Sequence, residues 1–413
     1  MRRIIILFLI LSPLIDYTYK LKFASIGSLE ISLNRIFKFV PLIILIYALP
    51  LIREKLFLWK WLFLLLVIST LSFINGAISF LYETTDVYIR FLSSFVFIIL
   101  AGKVLDKQDI LTIFKFLFLL TLIPIIVSYL QFLGIVPYTD FDTIGGLQIG
   151  RVSGGYEKQV ATVAYLMYGL SFASFQFFNV NTISKKLIFF VYIILLFGSI
   201  VLSTHRASLL IFMVIFFYFV FRYWKKNILN FVATCVVTMG IVFIIIKNFA
   251  WLNILYSSSI ISESGSEYLL IRGRVGFWSD YTSNLFHSGI YYLFFGKGHA
   301  VLDTYSQYLP LMFNEPHSDF IRVLHQYGII GFSIFLFIIF IMIKRSLIFR
   351  NYAHTIHDKM IGDMGIIIGI SLLLYSITIE PTRYPSFWWY YSVIISYILV
   401  NIRKLLHESR IHN

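Results

Sequence analysis

The sequence predicts an all-α polytopic membrane protein with about twelve spanning helices and one large external loop. Three observations carry that expectation. Of the 413 residues, 59% are hydrophobic and only 13% are charged, with a mean hydropathy of +0.85. A soluble domain has no interior large enough to hide so much apolar side chain, so lipid must be the solvent. The apolar residues fall into runs of roughly 20, the length a helix needs to cross a bilayer. Lys and Arg gather in alternate loops, the pattern of a protein whose basic loops stay cytoplasmic.

The remaining composition fits. Aromatic residues make up 19%, 43 of them Phe, which suits lipid-facing helices with tyrosines at the interfaces. The single cysteine, Cys235, lies in an apolar run, so no disulfide framework exists. The net charge of +14 is explained first by topology and does not point to nucleic acid.

The opening MRRIIILFLILSPLIDYTYK resembles a signal peptide, but no small-x-small cleavage site comes after it, so it is expected to stay as a first helix. The predicted spans are 4–18, 36–52, 58–80, 87–102, 110–135, 159–179, 187–204, 207–221, 228–246, 318–343, 362–379 and 386–402. Basic residues then sit at Arg2/Arg3, Arg53/Lys55/Lys60, Lys103/Lys107, Lys185/Lys186, Arg222/Lys225/Lys226, Lys344/Arg345/Arg350/Lys359 and Arg403/Lys404/Arg410, which places these loops and both termini in the cytoplasm. Lys20, Lys22, Arg35 and Lys38 break the alternation. Either that segment is locally different or the first span is not a simple crossing. Residues 1–413 read as one membrane domain, with a large external loop at 247–316 and a second at 136–158. Neither a short repeat nor a pair of matching halves is visible.

External arginines that topology does not require are informative: Arg90, Arg151, Arg206, Arg272, Arg274, Arg322 and Arg383. Arg206, in LSTHRASLLIF, has almost no loop around it and lies at or below the interface. Such a residue costs roughly 2.5–3.5 kcal/mol within a spanning helix. It either faces a partner in the interior or snorkels to headgroups. Arg151, in IGRVSGGYEKQVATV, belongs to a glycine-rich turn entering a helix. That is either a backbone suited to an anion or an ordinary interfacial turn. Arg272 and Arg274, in YLLIRGRVGFW, suit a short surface helix. Guanidinium forks match phosphate oxygens, so several converging would suit a pyrophosphate-bearing lipid, whereas simple headgroup binding would not need convergence.

The stretch NEPHSDFIRVLHQYGIIG, 314–331, enters the span at 318–343. Pro316 is expected to open the helix with Asn314 as its cap, which puts His317 in the first turn on a face with Ile321, Leu324 and Gly328. The positive helix end favours a neutral imidazole, able to take a hydroxyl proton, and would also accept a phosphate. Gly328 and Gly331 permit close helix packing. The bland alternative is a pair of interfacial histidines, His317 and His325. His287, His299, His317 and His325 match no familiar metal spacing, and Asp140-Phe141-Asp142 is a short match to a metal-binding DxD.

HSDFIRVLHQYGIIG resembles the His-Asn/Ser-x9-Gly-x-x-Gly signature of the O-antigen ligase and O-antigen polymerase superfamily, through His317, Ser318, Gly328 and Gly331. THRASLL, with Arg206, and IRGRVGFW, with Arg272 and Arg274, resemble two further segments of that family. RVSGGYEKQVATVAYL resembles a polymerase segment, with Lys158-Gln159 where Pro-Asn is often found. The resemblance implies a GT-C-like fold and a metal-independent, inverting glycosyltransferase with no cofactor. Its donor is a glycan on undecaprenyl pyrophosphate. It would work in the bacterial inner membrane, its site facing the periplasm. It implies pyrophosphate binding by Arg206 with Arg272 or Arg274, Arg272 being favoured. Arg151 is a further candidate for that anion, and His317 would act on the acceptor hydroxyl. Glu315, Ser318, Gly328 and Gly331 would support the acceptor side and the helix. Expected partners are the lipid-linked donor and acceptor, membrane lipids and a chain-length regulator protein. Repeat-unit polymerase leads because of the 151–166 segment, ligase onto lipid A-core comes second, and a lipid-glycan transporter is disfavoured by the scarcity of ionisable residues within the spans.

Overall fold

The computed structural model describes residues 1–20, 22–26, 29–32, 36–37, 39–48, 58–77, 81–144, 147–156, 158–203, 205–224, 272–298 and 317–412. Fourteen described helices are numbered here in chain order. They are α1 (Arg2–Asp16), α2 (Val40–Ala48), α3 (Trp59–Ala77), α4 (Leu81–Val104), α5 (Lys107–Leu120), α6 (Leu122–Phe132), α7 (Gln159–Asn179), α8 (Ile183–Leu202), α9 (Arg206–Trp224), α10 (Arg272–His287), α11 (Ile290–Phe295), α12 (Asp319–Tyr352), α13 (Ile356–Thr378) and α14 (Ser386–His412). Two antiparallel hairpins join them, β1–β2 (Lys22–Ile26, Leu29–Ser32) and β3–β4 (Asp140–Ile144, Leu147–Arg151).

Seven stretches of described helix are long and apolar enough to cross a membrane: Trp59–Ala77, Thr84–Val104, Lys107–Phe132, Gln159–Asn179, Ile183–Leu202, Asp319–Tyr352 and Ile356–Thr378. The chain is thus an all-α multi-pass membrane protein. The predicted span at 228–246 and Cys235 lie outside the described residues, as does most of the 247–316 loop. α1 has the 15 residues expected of the first span, about 22 Å of helix, and 9 residues of the second span, 40–48, are described as helix. The basic exception at Lys20 and Lys22 coincides with a short helical turn and the β1–β2 hairpin, so that segment is locally different.

The core forms where small residues let helices approach. On α4, Ser93, Ser94, Ala101 and Gly102 face α14. Trp389 Nε1 donates to Ser93 Oγ at 3.0 Å, Ser392 Oγ to the Ser94 carbonyl at 2.8 Å, and the Gly102 amide to Ser396 Oγ at 2.6 Å. A side chain at Gly102 would overlap the Ser396 carbonyl. Small residues and hydroxyl bonds are the means by which helices associate where lipid removes the hydrophobic drive. In α1, Pro13 has no N–H to give the Leu9 carbonyl. Tyr390 Oη donates to that carbonyl at 2.7 Å and hydrogen-bonds Ser12 Oγ at 2.6 Å, so the interrupted ladder is repaired from α14.

The two ends of the bundle differ. At one, Arg2 pairs with Asp106 and Asp109 at 2.7 Å, Lys107 with Asp358 at 2.8 Å, and Arg350 with Asp363 at 2.8 Å. These are residues of loops that charge alternation assigns to one side. We term this the basic end. The far end carries the β3–β4 hairpin, Ser203 at the end of α8, residues 317–318 before α12 and the turn at 379–385.

Candidate functional site

At the far end, the chain entering α12 is tied to the turn between α13 and α14. Ser318 is extended and serves as N-cap position. Its hydroxyl donates to the Ser376 carbonyl at 3.1 Å, and the Asp319 amide donates to the Ile379 carbonyl at 3.1 Å. The Asp319 carboxylate accepts from the Thr382 amide at 2.9 Å and from the Thr382 hydroxyl. One turn on, Arg322 pairs with Glu380 at 2.6 Å, and Arg383 reaches the same carboxylate oxygen at 3.3 Å.

These bonds correct the expected start of the helix. His317 precedes α12 instead of lying in its first turn, and its φ of +47° is left-handed. It therefore does not share a helical face with Ile321 and Leu324. The reason is local: two backbone-anchored contacts start the helix at Asp319, and the chain must turn sharply at His317 to reach them. Asp319 also brings a carboxylate to the helix end, the place where a phosphate was expected. Asn314, Glu315 and Pro316 lie outside the described residues.

Arg206 is the first residue of α9. The preceding His205 caps that helix. Its Nδ1 accepts from the Ser208 amide at 3.3 Å and hydrogen-bonds Ser208 Oγ at 2.6 Å. Gln159 Nε2 donates to the Ser203 carbonyl at 2.7 Å, joining the start of α7 to the end of α8. α13 packs against α9, and its Ser376 holds Ser318. The same helix thus contacts the helix that Arg206 begins and the segment that carries His317.

Arg151 ends β4 and pairs in register with Asp140. Burial draws its guanidinium below the usual arginine range, and Asp140 pulls the other way. Asp140 in turn accepts from Lys158 at 3.1 Å and from the Gln159 amide at 3.2 Å. It therefore anchors the start of α7. The glycine turn is also spoken for. Gln131 Oε1 accepts from the Ser153 and Gly154 amides, both at 3.0 Å, and Tyr17 Oη donates to the Gly154 carbonyl at 2.7 Å. Gly154 and Gly155 have φ of +63° and +86°, so glycine is required by the fold of this turn. Of the two readings of this turn, its Ser153 and Gly154 amides fit the ordinary one, since they face Gln131.

Arg272 and Arg274 fall in the first turn of α10. That helix packs on α12 through Tyr281, whose ring meets His325 edge-on at 5.9 Å. His287 hydrogen-bonds within α10, to Ser283. Among the described residues, no group of three or more His, Cys, Asp or Glu is placed to hold a metal ion.

Sequence reasoning missed a break in α12. Gly328 has φ +67° and ψ −174° inside the 34-residue helix. A Cβ there would overlap the Phe294 carbonyl of α11, and one on Gly296 would overlap the Gln326 carbonyl. Carbonyls released by the break find new donors: the Lys297 amide reaches the His325 carbonyl at 2.9 Å and Ser72 Oγ the Gln326 carbonyl at 2.8 Å. Gly328 does pack against a neighbouring helix, but as a break. Gly331 stays helical, close to Tyr327 and to Ile68 of α3. The signal was present as Gly296-Lys297-Gly298, whose two glycines both have positive φ.

Helical, multi-pass and apolar, with its buried charges collected at two ends, the molecule belongs to the class of polytopic membrane proteins. Within that class, residues 191–336 match the family model described as O-antigen ligase. The match supports a membrane enzyme that processes surface glycans. In sequence, the chain matches no curated protein. Among solved structures, a chain from "Structural coordination of polymerization and crosslinking by a peptidoglycan synthase complex" aligns over 84% of this chain and 98% of its own. It is 14% identical, with a TM-score of 0.47.

Proposed function

We propose that the protein polymerises oligosaccharide repeat units carried on undecaprenyl pyrophosphate, at the outer face of the bacterial inner membrane, to build an O-antigen or related surface polysaccharide. The observation that supports this most directly is that α13 packs against α9, which Arg206 begins, and holds Ser318, the neighbour of His317, through Ser376.

In this reaction the acceptor hydroxyl oxygen attacks the anomeric carbon of the donor glycan. The bond from that carbon to the pyrophosphate oxygen breaks, and the configuration inverts. His317 orients the hydroxyl and takes its proton. Arg206, with Arg272 or Arg274 and with Arg151, carries the charge of the departing lipid pyrophosphate. Pyrophosphate is already a competent leaving group, so held charge and a positioned base suffice without a metal. The resemblance also implies a chain-length regulator protein as partner.

Incubating the purified protein with a lipid-linked repeat unit tests this. The expected product is a ladder that survives a chelator and disappears in His317→Ala and Arg206→Ala. Long ladders from either variant refute the site. A ligase reading is favoured by the description of the matched family model, O-antigen ligase. Transfer of preformed glycan to lipid A-core, with no ladder from the repeat unit alone, would establish that reading.

A further inference from the structure

One arginine that membrane topology does not require has no role in the reaction above. Arg90 is the seventh residue of the apolar stretch Thr84–Val104, about 9 Å along the helix from its far end. An ionisable side chain at that depth is costly and is usually kept for function. Asp86, one turn nearer the far end, is its ion-pair partner. Among the described residues Arg90 has no other, and its Nε is buried without an acceptor. A planar guanidinium carries five N–H donors, so the pair leaves most of them unused.

The seam between α4 and α14 sets the direction of both side chains. Its bonds, Ser93 with Trp389, Ser94 with Ser392 and Gly102 with Ser396, join residues 294–298 apart, so the two helices run parallel. Residues three or four apart share one face of a helix. Arg90 lies three before Ser93 and four before Ser94, and Asp86 four before Arg90. Both therefore continue the seam towards the far end. In the same register Arg90 is level with Ser386, where α14 begins, and Asp86 with Thr382. There α4 packs on the turn Pro381–Arg383. The side chains are not sealed in: Arg90 is 22% exposed and Asp86 38%. The same turn is bonded to Asp319, two residues from His317.

The charges decide what can bind at this place. An anion approaching Arg90 also meets the Asp86 carboxylate, which cancels the attraction. A neutral ligand rich in hydroxyls gains from both groups, because a hydroxyl donates to a carboxylate and accepts from a guanidinium. Adjacent hydroxyls of a sugar ring match such a pair.

We propose that Asp86 and Arg90 bind the hydroxyls of a sugar of the acceptor glycan and so seat that glycan beside the segment carrying His317. The assignment to the acceptor rests on the glycosyl-transfer reading above; the binding of a neutral sugar does not.

NMR on the full chain in detergent micelles tests this without turnover. One probe is the repeat-unit oligosaccharide freed of lipid and phosphate, read by proton saturation transfer. The other is inorganic pyrophosphate, read by phosphorus line broadening. The joint change Asp86→Leu with Arg90→Met removes the pair without stranding a charge. It is expected to weaken oligosaccharide binding about tenfold or more, the effect of a lost charged hydrogen bond, and to leave the broadening and the thermal midpoint unchanged. Arg206→Ala is expected to do the reverse, keeping the oligosaccharide and losing the broadening. Arg90→Lys keeps the ion pair, and with it the fold, but not the planar fork. It is expected to lose most of the oligosaccharide signal and decides the matter should the joint variant be unstable. Undiminished oligosaccharide binding in these variants overturns the proposal, as does a wild-type protein that binds none. Loss of pyrophosphate broadening in the joint variant also overturns it, by marking the pair as an anion site. Failure here leaves the ladder assay with His317 and Arg206 untouched, and failure of the ladder leaves this binding test untouched.

Discussion

Arg322 and Glu380 form an ion pair at 2.6 Å whose side chains are only 1% and 3% exposed. They join the first turn of α12 to the turn that leads into α14. Removing one partner strands the other charge in the interior, which typically costs about 3–5 kcal/mol. Glu380→Ala and Arg322→Ala should each lower the thermal midpoint of the purified protein sharply. The joint change Arg322→Met with Glu380→Leu should recover most of the loss, since well-packed apolar pairs often replace buried ion pairs without cost. Arg383→Ala should do much less, because Arg383 is partly exposed and its contact is longer, 3.3 Å. A joint variant as unstable as the singles would show that the pair itself, and not the stranded charge, holds this end together.

His317 has a φ of +47°, a conformation that disfavours residues with a Cβ by about 1–2 kcal/mol. Strain of this kind persists only where the surrounding structure enforces it, and it clusters at functional sites. Replacing His317 with glycine should relieve the strain and raise the unfolding midpoint. The same change should cut chain extension at least 100-fold, the scale of a lost general base. Stability and activity then move in opposite directions. A midpoint that falls together with activity would mean that His317 is a packing residue.

The legible part of the fold is the part written in local pattern. The α7 helix, Gln159–Asn179, begins and ends where its apolar run does. The basic residues Arg2, Lys107, Arg222 and Arg350 meet at one end, as alternation of charge along the chain requires. Pairings over long sequence separation were not legible. Arg322 stood out as an arginine that topology did not need, but nothing in the sequence named Glu380, 58 residues on, as its partner. Asp319 drew no notice because an acidic residue in a first helical turn is ordinary. Gly328 looked like a packing glycine because its helical neighbours on both sides hide a broken backbone. The glycine turn after Arg151 kept two readings in the sequence because the acceptor of its amides, Gln131, lies on the preceding helix, at the far side of the hairpin.

Gly328 and Gly134 separate the two reasons a glycine can be irreplaceable. Both have positive φ, +67° and +72°. At Gly134 nothing lies within 4 Å of an added Cβ, whereas at Gly328 it would overlap the backbone of Phe294 and Phe295. Gly134→Ala therefore incurs conformational strain alone, about 1–2 kcal/mol. Gly328→Ala must also push α11 off α12, and so should cost several times more. Comparing the fraction of each variant that stays monodisperse after stepwise heating measures the difference. Equal losses would mean that α11 does not rest on the break.

The start of α5 offers a test by pH. Asp106 accepts from the Asp109 amide and Asp109 from the Asp106 amide, both at 3.0 Å. The Asp109 amide, helped by Arg2, holds the Asp106 carboxyl below its usual range. A carboxyl depressed in the folded state adds stability above its unfolded value, about 3.9, and loses it as pH falls through the lower folded value. Asp106→Ala should thus cost about 1 kcal/mol, as for other helix caps, at every pH from 5 to 8. The gap between wild type and variant should close only below about pH 4. A gap that narrows between pH 7 and 5 would contradict the assigned direction.

Asp363 of α13 gathers three elements at the basic end. It is fully buried and accepts from Tyr218 at 2.9 Å, Tyr223 at 2.8 Å and Arg350 Nε at 2.8 Å, with Arg222 Nε at 3.9 Å. The tyrosines come from α9 and Arg350 from α12, so one carboxylate ties both helices to α13. Asp363→Ala leaves two hydroxyls without their acceptor and Arg350 without its counter-charge, which should cost about 3–5 kcal/mol. Asp363→Asn keeps one acceptor oxygen and should cost less, as should Tyr218→Phe. Asp363 also lies 12 residues from Tyr375 along α13, about 18 Å, too far to touch the segments at the other end. Protein that remains folded at low temperature should therefore extend glycan at the wild-type rate, with only its thermal midpoint lowered. A rate that falls at 20 °C while the midpoint holds would show that α13 transmits the state of the basic end to the segments carrying Arg206 and His317.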